Sequence, residues 1–140
     1  DTSNLEALRT ELNVWRALGG IFGMAVCNDR RWPETYRVMG LQNVEMVLLG
    51  YNTPIHNAPA PDHDEHSWFH NQLSMQAGAY QNGTWVVGVA KGGTEEGVPS
   101  LADSMIVAPS GKVVARADIE QDQVNLQLAM VACDRDVHVM

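Results

Sequence analysis

Cys27 stands in the run Met24-Ala25-Val26-Cys27-Asn28-Asp29-Arg30-Arg31-Trp32-Pro33-Glu34, where an apolar segment meets a thiol, two arginines and a proline suited to open a helix. At a strand-to-helix turn, backbone N–H groups and the helix dipole favour the thiolate, the form that attacks carbonyl carbon. The residues alone leave two readings of Cys27: a nucleophile, or a small buried hydrophobe, the ordinary place of a free cysteine. Arg30-Arg31 is the only adjacent basic pair in the chain. Guanidinium groups match carboxylates bidentately, so the pair is a candidate anion site close behind the thiol. The alternative is an internal salt bridge from one arginine to Asp29 or Glu34. At a helix start the two side chains point in different directions, so one is expected at a substrate and the other in the structure.

Other clusters carry less chemistry. His66 and His70 are spaced i and i+4 after Asp62-His63-Asp64-Glu65, a spacing able to hold a metal on one helix face, but the order H-E-x-x-H is absent and acids at a helix start also suit the dipole. No metal site is expected. Gly92 and Gly97 have the separation of a phosphate loop, yet Val98-Pro99 stands where Lys and Ser or Thr are needed. Cys133, beside Asp134 and Arg135, is read as incidental.

The elements that must position these groups follow from periodicity and caps. Ser3-Asn4-Leu5-Glu6 has the form of a capping box, and Leu5, Leu8, Leu12, Trp15 and Leu18 recur at helical spacing before Gly19-Gly20, predicting a first helix. Ile21 to Val26 is expected as a strand delivering Cys27, Pro33 to Met39 as a helix stopped at Gly40, and Val44 to Leu49 as a second strand. Three prolines make Tyr51 to Asp62 a loop. A long helix is expected over His63 to Gln81, ended by Asn82-Gly83, then a strand over Trp85 to Ala90 and a glycine-rich loop over Lys91 to Pro99. Ser104 to Ala108 and Val113 to Ala117 form an expected hairpin about Pro109-Ser110-Gly111, and Val124 to Val131 is a candidate closing strand. Strand, helix and strand in short succession argue for parallel pairing in an α/β layer architecture.

At 140 residues and 45% apolar content the chain suits one domain over 1–140. Nine Lys plus Arg against seventeen Asp plus Glu give a net charge of -8, which argues against a nucleic-acid or anionic-membrane surface. No segment reaches the length of a membrane span, and even the apolar run Val44 to Leu49 contains Glu45. Two cysteines without a CxxC, and no signal-like N-terminal segment, make a reducing cytoplasm the expectation.

In order along the chain, Cys27 to Glu34, Gly50-Tyr51-Asn52-Thr53-Pro54, Phe69-His70-Asn71-Gln72 and Met75 to Trp85 resemble the second half of a nitrilase-superfamily amidohydrolase, most closely the N-carbamoyl-D-amino acid hydrolases. Ser104, Ile106, Pro109 and Gly111 fit the following hairpin, and the resemblance covers residues 21–118. It implies a partial α-β-β-α sandwich and a Glu-Lys-Cys triad that hydrolyses an N-carbamoyl-D-amino acid to ammonia, carbon dioxide and the D-amino acid. Cys27 would be the nucleophile and the Asn28 N–H the oxyanion donor. Arg30, Arg31 and Asn52 would bind the substrate carboxylate, with Thr53 also at the substrate and His70 in the wall. The implied partner is a small N-carbamoyl amino acid, with no cofactor, and a homo-oligomer is expected. The family's glutamate and lysine precede its cysteine, whereas the lysines here are Lys91 and Lys112 and the early glutamates are Glu6 and Glu11. Little hydrolase activity is therefore expected of these residues alone, together with exposed apolar surface and self-association.

Overall fold

A computed structural model describes residues 12–117. Its strands are β1 (Val14–Ala17), β2 (Gly20–Val26), β3 (Met46–Tyr51), β4 (Trp85–Ala90), β5 (Thr94–Glu95), β6 (Val98–Pro99), β7 (Met105–Val107) and β8 (Val113–Arg116), and its α-helices are α1 (Pro33–Gly40) and α2 (Ser67–Asn82). Two 3-10 turns, Cys27–Arg31 and Pro61–His66, precede the helices. Six strands form one sheet in the order β1-β2-β3-β4-β7-β8, with β2, β3 and β4 parallel and the remaining pairs antiparallel. The parallel register pairs Val26 with Gly50 and Gly50 with Val89. The segments after these three strands therefore leave the sheet at one edge, where sites of parallel sheets collect.

Both helices cover one face. Val47 and Leu49 of β3, Val86 of β4 and Val107 of β7 pack there with Tyr36 and Met39 of α1 and Met75 and Ala79 of α2. Gly88 lets Tyr51 pass beneath α2, since a Cβ there would lie 2.6 Å from Met75 Sδ and 2.9 Å from the Tyr51 hydroxyl. The opposite face carries a smaller cluster of Trp85, Ile106 and Ala108, while Met24, Val26 and Val89 lie exposed.

The expected first helix is corrected over its described part. Val14–Ala17 is an edge strand paired antiparallel with β2, turning at Leu18 (φ 49°) and Gly19 (φ 81°). Two consecutive positive φ values make the tight turn that matches strand twist, so Gly19-Gly20 serves a hairpin and not a helix stop. Leu18 is 98% exposed at its tip, although helical spacing had placed it on an apolar stripe. Residues 1–11, with the capping box, and the expected strand over 124–131 lie outside the described residues. The loop after β4 holds the small β5–β6 hairpin, turning at Glu96 and Gly97 with positive φ. The long helix begins later than expected because 61–66 form a 3-10 turn, and it ends at Gly83 in left-handed conformation, as Asn82-Gly83 suggested.

Candidate active site

Cys27 follows β2 at the edge shared by the three parallel strands, exposed, with φ at 51°. A non-glycine residue in this conformation costs on the order of 1–2 kcal/mol, so the surroundings must hold it. Asp29 fixes the entry to the turn by accepting the Val26 N–H at 3.1 Å. The thiol Sγ lies 3.9 Å from the carbonyl oxygen of Asn52, in the segment after β3. Asn28 comes next in the first turn of the 3-10 segment, where backbone N–H groups have no partner inside the turn.

The two arginines separate. Arg30 is 1% exposed and donates from Nη1 to the Cys27 carbonyl at 2.5 Å, from Nη2 to Thr53 Oγ1 at 2.7 Å and from Nε to Asn71 Oδ1 at 3.0 Å. Its guanidinium carbon sits 4.0 Å from the centre of the Tyr51 ring. Burial, then repulsion from Arg31, holds Arg30 below the usual arginine range. Its partners are neutral, so the considered salt bridge to Asp29 or Glu34 gives way to amide, hydroxyl and carbonyl acceptors. Arg30 and the 7%-exposed Thr53, both expected at the substrate, turn their polar groups to each other inside the protein. Arg31 is exposed and reaches the open side.

On that side Arg31 lines a cavity of about 170 Å³ with Thr53, Pro54, Asn57, Ala60, His63, Ser67 and His70. The loop from 52 to 55 is pinned to β6 and the segment after it. Ile55 N–H donates to Pro99 O, Leu101 N–H to Thr53 O, and the Ser100 hydroxyl to Asn52 Oδ1 at 3.0 Å. Asp64 holds the loop residue Asn57 of that lining, accepting from its N–H at 2.9 Å and meeting His56 Nδ1 at 2.6 Å, contacts that lower its pKa below the usual carboxylate range. His70 sits in the wall with its ring 5.6 Å from that of His66 and 6.4 Å from that of His63. Among the described residues no three His, Cys, Asp or Glu side chains converge as metal ligands, and no helix is long and apolar enough to cross a membrane. Lys91 follows β4 at the same sheet edge, its ammonium engaged with Glu95.

Asn71, Tyr51 and Asp103 received no role from the sequence. Asn71 donates to Asp103 Oδ2 at 2.9 Å, the Tyr51 hydroxyl donates to Asp103 O at 2.5 Å, and Arg116 lies 3.1 Å from Asp103 Oδ1. Burial raises the Tyr51 phenol above its ordinary value. The one available signal for Asp103 was a lone acid within the apolar stretch 101–108.

The model of the carbon-nitrogen hydrolase family matches residues 6–137, and the chain belongs to that family, within the nitrilase superfamily. It is 28% identical over 115 residues to a probable nitrilase of Schizosaccharomyces pombe, a match over 82% of this chain and 39% of that protein. The chain thus spans about two fifths of the length of this curated relative. Among solved structures, it resembles an amidase from Nesterenkonia sp. AN1 carrying the acetamide moiety of fluoroacetamide on its active-site cysteine, with TM-score 0.62, 19% identity and coverage of 77% and 37% of the two chains. A glutamine-dependent NAD+ synthetase from Acinetobacter baumannii aligns with TM-score 0.64 at 21% identity, over 76% of this chain and 19% of that one. These likenesses establish the mixed α/β fold of the nitrilase type.

Proposed function

We propose that this chain carries the nucleophile side of a carbon-nitrogen hydrolase acting on N-carbamoyl-D-amino acids, with Cys27 as the attacking thiolate. The observation that carries the reading is the exposed, left-handed Cys27 at the parallel sheet edge, in a protein whose other nearby guanidinium, Arg31, opens onto a polar cavity. The thiolate adds to the ureido carbonyl, forming a C–S bond, while the Asn28 N–H steadies the oxyanion; the C–N bond to the terminal NH2 then breaks as that nitrogen takes up a proton from solvent and leaves as ammonia, with the carbamoyl carbon on Cys27 Sγ. Water then releases the N-carboxy amino acid, which loses carbon dioxide. Arg31 holds the substrate carboxylate from the cavity, beside His70 and Asn52. The preference for D-amino acids rests on the family resemblance. A small-molecule substrate, a cytoplasmic setting and a homo-oligomer belong to the same proposal.

A second reading, a carboxylate-binding domain without turnover, is favoured by Arg31 opening onto the polar cavity while the Lys91 ammonium is paired with Glu95. Ammonia release from an aromatic N-carbamoyl-D-amino acid separates the two. Slow release abolished by Cys27→Ala supports hydrolysis; calorimetric binding that depends on Arg31, without any release, supports the second reading.

A further inference from the structure

We propose that Thr53 and Asn71 are positioning residues for Cys27, acting through Arg30. The proposal rests on Cys27 as the nucleophile, and it gives two residues expected to touch substrate, Arg30 and Thr53, a different task.

The backbone of Cys27 is strained, with φ at 51°. Relaxed to an extended conformation, Cys27 would simply continue β2 and carry its thiol away from the Asn52 carbonyl. Its own carbonyl is held by Arg30 Nη1, three residues on. A free arginine would be a poor anchor, because its long side chain loses considerable rotamer freedom when fixed. Here that freedom is already gone: Thr53 Oγ1 takes Nη2, Asn71 Oδ1 takes Nε, and Tyr51 covers one face of the plane. Asn71 is itself oriented, since its amide NH2 donates to buried Asp103, whose charge Arg116 meets from outside. The locked chain therefore runs from Asp103 of the segment before β7, through Asn71 of α2 and Arg30, to the carbonyl of the candidate nucleophile. Thr53 adds a second hold from the loop after β3. Asn71 and Thr53 are neutral, so replacing either by an apolar residue of similar shape loosens the guanidinium without changing the charge around the thiol.

The test is the rate of Cys27 alkylation by iodoacetamide in the whole 140-residue protein, with peptide mass spectrometry separating Cys27 from Cys133. Thermal unfolding of each variant is followed alongside. Thr53→Val and Asn71→Leu are expected to slow Cys27 alkylation at neutral pH by about fivefold or more, because the backbone carbonyl of Cys27 loses its fixed donor and the thiol is no longer held in its place beside the Asn52 carbonyl. Thr53→Ser, which keeps the hydroxyl, is expected to restore the rate. Equal rates in wild type, Thr53→Val and Thr53→Ser, all folded at the assay temperature, would overturn the proposal. Should Asn71→Leu fail to fold, the Thr53 pair decides alone. The ammonia assay judges the nucleophile reading separately: its failure alongside a rescued Thr53 effect leaves the positioning intact and removes only its catalytic use.

Discussion

The two faces of the sheet differ in what covers them more than in what they are made of. Beneath α1 and α2, Val47, Leu49, Val86 and Val107 are buried among Tyr36, Met39 and Met75. On the other face Met24, Val26 and Val89 are 52%, 62% and 59% exposed, although they are equally apolar. Parallel strands are ordinarily buried on both faces and read as continuous apolar runs, as Met-Val-Leu-Leu does in β3. The lesson is that a sheet this apolar on both sides is suited to a second covering layer. The two arginines repeat the contrast on a smaller scale, one locked inside and its neighbour open to a cavity.

The largest effect is expected in the covered face. Met39→Ala, at a fully buried position, should cost about 3 kcal/mol in denaturant unfolding, whereas Val89→Thr should change stability by less than about 0.5 kcal/mol and reduce any self-association seen by sedimentation. Equal costs at the two positions would erase the contrast. Next, Arg30→Met leaves the Cys27 carbonyl, Thr53 and Asn71 without their donor and is expected to lower stability by about 2 kcal/mol; Arg31→Met should be close to neutral by the same measurement. A smaller change of opposite sign is expected from Tyr36→Phe. The Tyr36 hydroxyl is buried without a partner among the described residues, so its removal should stabilise by up to about 1 kcal/mol. The smallest effect belongs to the half-buried Asp64 clamp. Its folded pKa is lowered, first by the Asn57 N–H and then by His56, so its contribution is present above the unfolded carboxylate pKa and is lost as pH falls through the folded value. NMR titration of the Asn57 amide should show a transition below about pH 4; a midpoint above that range would contradict the clamp.

Local signals explain which parts of this structure were legible in the sequence. Pro33 at the first turn of α1 and Asn82-Gly83 at the end of α2 are chemistry within a few residues, and the helices keep to them. The apolar runs of β2 and β4 were equally readable, and so was the emergence of Cys27 from β2. Leu12, Trp15 and Leu18 have helical spacing, but pairing with β2 over four residues overrides that periodicity. The hold on Arg30 was hidden for another reason: Thr53 lies 23 residues away in sequence and Asn71 lies 41, so no local pattern announces either bond. That the adjacent arginines would part was legible from the helix start, but not that Arg30 would be the buried one.

The most direct test of Cys27 as nucleophile is the mass of the acid-quenched protein after incubation with an N-carbamoyl-D-amino acid. An adduct equal to substrate minus ammonia, mapped to Cys27 and absent from Cys27→Ala, is the expected result; ammonia release that survives Cys27→Ala, or an adduct at another residue, would contradict it.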